Sequence, residues 1–345
     1  MDDYIPLSVP SLNGNELEYV QECIETEWVS SAGKYVDLFE SKIAKYTGAK
    51  YAIATVNGTS ALQVALRVSG VLPGEEVIIP SLTFVSPVNA IRYNGSDPIF
   101  MDSDNYYNIA SEKTIEFILN ETYFKSGSTF NSKTKKKISA IVPVHIWGNA
   151  VYFNDLIELC KERNIKVIED ASESLGTFYK NGRYKSKHTG TIGDLGCISF
   201  NGNKIATTGG GGMIITNNLD YAEKAKYLTT QAKDDPIRYI HNEVGYNFRL
   251  TNIQAALGVA QLEQISNFLS KKKKIYNYYK KGLHRIKGLE ISEVPNYANN
   301  NHWLNLIKLD KSSFEKDVES LMMRLEKNGI QSRPVWQLNH LQKSY

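Results

Sequence analysis

The residues best suited to chemistry lie in one polar turn between two apolar runs. Lys204 sits in this turn, and the consecutive glycines 209–212 follow it closely. A lysine amine can form a Schiff base with a carbonyl compound, and glycines allow the backbone to approach a bound ring or phosphate. Upstream, Asp170 ends another apolar run at residues 165–169. The pattern predicts a carbonyl-binding lysine with a distant carboxylate in support.

A lysine and a strand-end carboxylate are the pair that pyridoxal phosphate requires. Lys204 would hold the aldehyde of this cofactor, and Asp170 would keep the pyridine nitrogen protonated so that the ring accepts electrons. Residues 57–60 lie between a predicted strand and a predicted helix, where backbone amides and the hydroxyls of Thr59 and Ser60 would face a phosphate. Taken alone, this segment is more readily interpreted as an ordinary helix cap.

Two further side chains would complete such a site. Phe84 could lie flat against a planar cofactor, although an isolated phenylalanine is more often a core residue. Ser199 could add a hydroxyl to the phosphate. Each signal is weak by itself. Their order along the chain, with phosphate cradle, aromatic ring, aspartate, serine and then lysine, is that of a fold-type I pyridoxal phosphate enzyme.

Short apolar runs that alternate with helical patterns predict the scaffold for these residues. Helical periodicity is present at residues 59–69 and 151–163. The predicted strands are the apolar runs 51–56, 77–80, 98–101, 138–144, 165–169, 196–200 and 212–216. Strands that are apolar on both sides and are separated by helices predict an α/β fold with a mostly parallel sheet covered on both faces.

After about residue 250 the pattern changes to that of a smaller α+β unit. A long amphipathic helix is predicted at residues 252–268, and Lys271–Lys274 are expected on its solvated continuation. We therefore predict a large cofactor-binding domain at residues 1–250 and a small C-terminal domain at residues 251–345.

Two polar insertions interrupt the large domain. Residues 121–137 are rich in lysine and without periodicity, so they are expected as a solvated surface loop. Residues 179–188 are basic around a hairpin turn signal. They are expected to be exposed, with contact to a substrate diphosphate as the alternative.

Composition limits the class of protein and its compartment. The chain has 345 residues and a formal net charge of +3, which is too balanced to indicate nucleic-acid binding. No signal peptide and no apolar run of membrane-spanning length is evident. The three cysteines lack metal-ligand spacing, and Cys160 and Cys197 are expected in the core. A cytoplasmic protein that binds neither nucleic acid, metal nor membrane is the natural prediction.

Longer motifs resemble one enzyme family. The runs Glu169-Asp-Ala-Ser-Glu-Ser-Leu-Gly176 and Gly193-Asp-Leu-Gly-Cys-Ile-Ser-Phe-Asn-Gly-Asn-Lys204 resemble the aspartate and lysine motifs of the sugar-nucleotide aminotransferases called the DegT/DnrJ/EryC1/StrS family. Trp28-Val-Ser-Ser-Ala-Gly33 resembles the N-terminal motif of this family. Gly245-Tyr-Asn-Phe-Arg-Leu-Thr-Asn252 resembles the segment that reaches the active site of a neighbouring subunit. The resemblance covers almost the whole chain.

Two details bear on the branch of the family and on the C-terminus. Residues 201–204 and 231–236 are most similar to the branch that acts in the synthesis of legionaminic-acid-type sugars. Relatives usually continue beyond the position of Tyr345, so the resemblance implies either a shortened small domain in this chain or one that ends differently.

The resemblance implies a role for each candidate residue. Lys204 would be the Schiff-base lysine and general base, with Asp170 as partner of the pyridinium nitrogen. Phe84 would stack on the ring, and Glu173 would lie near it. The phosphate would be held by Gly58, Thr59, Ser60, Ser199 and, from the other subunit, Asn247. His145 and Arg249 are tentative contacts for the sugar nucleotide, and core or salt-bridge roles suit them equally well.

The family further implies a homodimer with shared active sites and a ping-pong transamination. The amino group would pass from L-glutamate to a nucleotide-linked 4-keto-6-deoxy-hexose, expected to be a UDP- or GDP-linked N-acetylated sugar, and the 4-amino product would serve surface-glycan synthesis. One alternative is amination at C3. The other is a non-catalytic sugar-nucleotide-binding protein of the same fold.

Overall fold

The structure is a computed structural model that describes residues 4–153, 155–235, 237–314 and 317–345. The helices are α1 (Glu16–Glu25), α2 (Lys34–Thr47), α3 (Gly58–Val68), α4 (Val85–Tyr93), α5 (Ser111–Asn120), α6 (Leu156–Glu162), α7 (Leu219–Thr229), α8 (Asn252–Glu263), α9 (Ile265–Leu283) and α10 (Val318–Lys327). The strands are β1 (Tyr51–Thr55), β2 (Glu76–Pro80), β3 (Asp97–Met101), β4 (Thr122–Lys125), β5 (Ser128–Asn131), β6 (Lys137–Ile141), β7 (Lys166–Asp170), β8 (Phe178–Tyr179), β9 (Leu195–Ser199), β10 (Gly212–Thr216), β11 (Leu289–Ile291), β12 (Ala298–Asn299) and β13 (Ile307–Leu309).

A central sheet organises the first part of the chain. Its strands lie in the order β1-β10-β9-β7-β6-β2-β3, with the β4–β5 hairpin attached to β6. Strands β9, β7, β6, β2 and β3 run parallel to one another, and β10 is antiparallel to both of its neighbours. The predicted α/β class with a mostly parallel sheet is confirmed.

Both faces of this sheet are covered, as the two-sided apolar strands predict. In β10, Ile214 packs in the core cluster that contains α3 and α7, whereas Met213 and Ile215 pack in the cluster that contains α2 and α8. Successive side chains of a strand point to opposite faces, so an alternating assignment to two clusters follows directly. All five residues of β2, β9 and β10 are buried.

The insertion at residues 121–137, expected as a surface loop, instead contains the β4–β5 hairpin. The buried residues of β5 are polar. The hydroxyl of Thr129 donates to the Arg163 carbonyl oxygen at 2.6 Å, and the Asn131 amide donates to the Glu76 carboxylate at 2.9 Å. The hairpin was not predicted because strands are recognised by alternating hydrophobic residues, and the inward side chains of β5 are polar and hydrogen-bonded.

The long helix predicted at residues 252–268 is divided at Gln264 into α8 and α9. Helix α8 packs against α1 and α2. The expected solvation of Lys271–Lys274 is wrong for one member, because Lys272 donates to the Trp303 carbonyl oxygen at 3.1 Å and burial lowers its pKa. The boundary at residue 250 stays a prediction.

Among the described residues, no helix is long and apolar enough to cross a membrane. The same residues contain no cluster of three or more metal-ligating side chains. At the hairpin signal of residues 179–188 the chain does fold back, since Phe178 and His188 form an antiparallel bridge. The short strand β8 on one side of this turn also pairs with β12 of the C-terminal region. Most of this basic segment is exposed, but His188 is fully buried.

Candidate active site

Polar residues follow the carboxyl ends of the parallel strands at one edge of the central sheet. Asp170 ends β7, Ser199 ends β9, and Asn57 follows β1. Thr83 follows β2, and its hydroxyl is buried with no hydrogen-bond partner among the described residues. Ligands of open parallel sheets bind at this edge, beyond the strand ends. The predicted strand-end residues are therefore neighbours in space although they are far apart in the chain.

The N-terminus of α3 forms a cradle that fits a phosphate. Asn57 caps the helix, since its side-chain oxygen accepts a hydrogen bond of 2.8 Å from the Ser60 amide. The amides of Gly58 and Thr59 precede the first intrahelical bonds, and the helix dipole favours an anion in front of them. A Cβ atom added to Gly58 would lie 3.0 Å from Cβ of Ser199. Glycine at this position keeps the cradle open.

Lys204 lies in a turn that distant segments hold in place. The carbonyl oxygen of Asn203 accepts hydrogen bonds from the Trp303 indole at 2.6 Å and from the Ser8 hydroxyl at 2.9 Å. The ammonium group of Lys204 lies 3.9 Å from the centre of the Trp303 ring and 3.4 Å from Oε1 of Glu173. Cation–π and ion-pair contacts together orient this amine.

Two buried carboxylates face Lys204, Asp170 at the end of β7 and Glu173 in the segment that follows it. Burial raises the pKa of Asp170, and hydrogen bonds from Ser172 to its carboxylate oppose that rise. Burial likewise raises the pKa of Glu173, against the opposing charge of Lys204. A cation placed against Asp170 would favour its ionised form, as a protonated ring nitrogen would.

Three tryptophans of the site were not predicted from the sequence. Trp147 has a φ of 51°, which is unusual for a bulky residue, and its amide donates to Oε2 of Glu173 at 2.7 Å. Trp336 packs at 5.5 Å from the Trp147 ring and 5.6 Å from the Phe84 ring. Trp147 follows β6, so the strand-end argument would have found it. Trp303 and Trp336 arrive from the C-terminal region and carry no local signal.

These groups line one cavity of about 920 Å³. The predicted site residues in its wall are Gly58, Thr59, Phe84, Asp170, Glu173, Ser199 and Lys204. Two predicted phosphate contacts are outside this wall. Ser60 is buried in the first turn of α3, and Asn247 is exposed on the surface, where its backbone pairs with Thr230. Exposure leaves Asn247 available to a second subunit.

His145 and Arg249 also lie outside the cavity. His145 is fully buried, with Nε2 donating to Glu169 at 2.8 Å and Nδ1 accepting from the Val151 amide at 3.0 Å. Arg249 lies 3.9 Å from Asp37, and its Nε is buried without a partner among the described residues. His145 therefore has the core role and Arg249 the salt-bridge role that were the alternatives to substrate contact. Neither residue is placed to touch a ligand in the cavity.

The glycines 209–212 serve a different purpose from the expected one, since they do not line the cavity. Gly212 is paired with Thr55 across β10 and β1, and an added Cβ would overlap the Asn57 backbone. Gly211 packs equally closely against the Thr208 side chain. Gly211 and Gly212 therefore allow close approach within the protein's own chain, and Gly212 packs against the segment that leads into α3.

The donor set of the cavity fits pyridoxal phosphate. Amides and a hydroxyl at the start of α3 suit its phosphate, Asp170 suits its ring nitrogen, and Lys204 suits its aldehyde. Phe84 is 48% exposed, so one face of its ring is free to contact a planar ligand. The unpartnered hydroxyl of Thr83 in the cavity wall is satisfied only by a ligand or solvent.

Comparison with known proteins agrees with this chemistry. The model of the DegT/DnrJ/EryC1/StrS aminotransferase family matches residues 10–345. GDP-perosamine synthase of Escherichia coli O157:H7 is 39% identical over 342 residues, which cover 99% of this chain and 87% of that protein. A putative pyridoxal phosphate-dependent aminotransferase of Bacillus subtilis (strain 168), EpsN, is 36% identical over 344 residues, covering 99% of this chain and 84% of its own length.

A solved structure has the same fold. The DegT DnrJ EryC1 StrS aminotransferase from Brucella abortus superposes with a TM-score of 0.84 at 25% sequence identity. The match covers 96% of this chain and 83% of that protein. The expected aminotransferase fold is confirmed.

Proposed function

The chain belongs to the DegT/DnrJ/EryC1/StrS aminotransferase family, and from this premise we propose that it transfers an amino group from L-glutamate to a nucleotide-linked 4-keto-6-deoxy-hexose. Family membership confirms the predicted enzyme class, a pyridoxal phosphate-dependent aminotransferase. The observation that carries the proposal is the meeting of Lys204, Asp170, Phe84 and the start of α3 in one cavity. A non-catalytic protein would have no need for this set.

Each residue of the set has a task that its position explains. Pyridoxal phosphate, when bound, supplies an electron sink for the bonds at the donor's α-carbon. Lys204 would hold the cofactor aldehyde and, once freed by the donor amine, would carry the proton that leaves the donor's α-carbon. Asp170 would hold the proton on the ring nitrogen. Glu173 accepts a hydrogen bond from Lys204 and positions its amine.

The half-reaction with glutamate tests this proposal directly. Purified protein with pyridoxal phosphate is expected to show the visible absorbance band of lysine-bound cofactor, and L-glutamate should shift the band to shorter wavelength. The variant Lys204→Ala should lack the band. Lys271→Ala is a matched control, because it removes an exposed lysine that does not line the cavity. A wild-type band that glutamate leaves unchanged would contradict glutamate as the donor.

The acceptor is the finer part of the proposal. A GDP-linked acceptor is supported by the similarity to proteins named GDP-perosamine synthase. The UDP-linked N-acetylated sugar of a legionaminic-acid route stays a prediction based on two short motifs. We propose to offer GDP- and UDP-linked 4-keto and 3-keto sugars to the aminated enzyme and to identify products by NMR. Transfer only to a 3-keto sugar would replace C4 with C3 amination.

We propose a homodimer as the working form and the cytoplasm as its location. The segment after α7 exposes Ile237, Tyr239 and Val244 at 87%, 72% and 77% of their surface. Large apolar side chains at this exposure are typical of an interface. A reducing compartment is supported by Cys23, Cys160 and Cys197, which are all buried and unpaired.

A further inference from the structure

One cation in the cavity wall has no task in the reaction as described above. Among the described residues, the charged ones that line the cavity are Asp170, Glu173, Lys204 and Arg333. Lys204 pairs with Glu173. Arg333 has no carboxylate within ion-pair distance in the described part of the chain, and its guanidinium donates only to the Ser332 carbonyl oxygen, at 3.2 Å. Its remaining donors are free for a ligand.

The backbone that carries Arg333 is fixed on its N-terminal side. Ile5 donates to the Gly329 carbonyl oxygen at 2.7 Å, and Gln331 donates to the Ile5 carbonyl oxygen at 2.9 Å. The Leu7 amide donates to the Gln331 side chain at 3.0 Å. The N-terminal segment therefore holds this part of the chain beside the cavity, and Leu7 itself lines the cavity wall.

The C-terminal side is fixed as well. Trp336 packs against Phe84, and Asn339 donates from its side chain to the carbonyl oxygens of Ser81 and Thr83 at 3.2 Å and 2.7 Å. Pro334 follows Arg333 directly, which restricts the backbone of the preceding residue to extended conformations. The backbone at Arg333 is thus anchored on both sides, which limits the positions that its exposed guanidinium can take.

We propose that Arg333 binds an anionic group of a substrate and so helps to determine specificity, an inference that rests on the proposed function. Both substrates of that reaction carry suitable groups, the carboxylates of glutamate and the diphosphate of the nucleotide sugar. Guanidinium matches carboxylate and phosphate oxygens with paired, charge-assisted hydrogen bonds. Lys204 would be committed to the cofactor, so Arg333 is the remaining cation of the wall within the part of the chain that the structure describes.

Steady-state kinetics of Arg333→Gln in the dimeric holoenzyme tests the assignment. We expect KM for at least one of the two substrates to rise about 10- to 100-fold with kcat little changed, because a charge-assisted hydrogen bond to the substrate is lost. Arg333→Lys should recover part of the affinity. Arg324→Gln is the matched control, an exposed arginine of α10 outside the cavity wall. Unchanged KM for both substrates would overturn the proposal.

Direct binding separates the two sources of the anion and does not depend on turnover. Glutarate and GDP are titrated separately into each holoenzyme while fluorescence is recorded from the cavity tryptophans Trp147, Trp303 and Trp336. Weaker glutarate binding in Arg333→Gln assigns the donor carboxylate, and weaker GDP binding assigns the diphosphate. Equal affinity of wild type and variant for both probes overturns the role of Arg333. A wild type that binds the probes without transferring an amine contradicts the proposed function alone.

Discussion

At the scale of single residues, burial and pairing decide what each ionisable group can do. Lys204 is held between a tryptophan face and a carboxylate, and its side chain is only 14% exposed. Asp170 is buried beside it without an ion-pair partner among the described residues. Burial raises the pKa of this carboxyl, because it disfavours the ionised form. A cationic ligand ring beside Asp170 would stabilise that ionised form.

The variant Asp170→Asn should keep the cofactor and lose most activity. The amide retains the shape of the side chain but cannot hold a proton on the ring nitrogen, so the rate should fall at least about 100-fold. Cofactor absorbance and turnover are measured on the same sample. Asp155→Asn, which alters a carboxylate outside the cavity wall, should be active. Turnover at the wild-type rate in Asp170→Asn would contradict the role of Asp170.

The same substitution should stabilise the cofactor-free protein at high pH. The folded-state pKa of Asp170 is raised above its unfolded value, so its contribution to stability is complete below the unfolded pKa and is lost as pH rises through the folded pKa. Asparagine does not titrate. The Tm of Asp170→Asn relative to wild type should therefore increase as the pH rises above the unfolded pKa of an aspartate, about 4. A difference that is constant or decreases with pH contradicts this account.

At the scale of elements, strand ends and one helix start create the site. The carboxyl ends of β2, β6, β7 and β9 meet at one sheet edge, and the start of α3 presents free amides to the same space. The neighbouring loops are held by buried polar bonds. The Glu169 carboxylate accepts hydrogen bonds from the amides of Gly190, Ile192 and Gly193 at 2.8, 2.6 and 2.6 Å. Such contacts fix the cavity wall without lining it.

Gly58→Ala should weaken cofactor binding while preserving the fold. The added methyl group would lie 3.0 Å from Cβ of Ser199, which cannot rotate away, and would fill the phosphate cradle. We expect pyridoxal phosphate to bind about 10- to 100-fold more weakly. Titration by cofactor absorbance measures this. Gly202→Ala is the control, since the nearest atom to its added methyl group would be the Gly209 carbonyl oxygen, 3.9 Å away. Equal cofactor affinity in both variants would mean that the cradle lies elsewhere.

At the scale of the whole molecule, the site is expected to be completed by a second subunit. Asn247 is exposed and outside the cavity of its own chain, close in sequence to the exposed apolar segment that includes Val244. If this face packs against a partner, Asn247 of the partner subunit can reach the phosphate cradle. A C2 dimer would then contain two sites, each made from both chains.

Mixed dimers test shared sites. Chains with Lys204→Ala and chains with Asn247→Asp are co-expressed with different tags. Each variant should be inactive alone, because the first lacks the lysine and the second repels the phosphate. Random pairing gives mixed dimers with one intact site, and total activity should recover to about a quarter of wild type. Lys204→Ala with Asp170→Asn is the control, since both changes affect one chain's residues and every site keeps a defect. Absence of recovery in the first pair would mean that each chain forms its own site.

The sequence by itself determined the α/β class, the strand ends and the principal chemical residues. Apolar periodicity is a local property, so β7 and α3 could be predicted, and the motifs around Asp170 and Lys204 pointed to one cofactor. Polar strands were not predictable, because the buried side chains of β5 are satisfied by hydrogen bonds and leave no hydrophobic pattern.

Only the tertiary structure decided which residues meet. In the structure His145 is hydrogen-bonded to Glu169 in the core, away from the cavity. Gly211 and Gly212, which follow Lys204, allow two parts of the chain to pack closely. The tertiary structure also brought Trp303, Arg333 and Trp336 from the C-terminal region to the cavity wall. These contacts join residues that are far apart in the chain, so no local pattern predicts them. Packing and long-range hydrogen bonds hold the C-terminal region on the large sheet, and both depend on the fold as a whole.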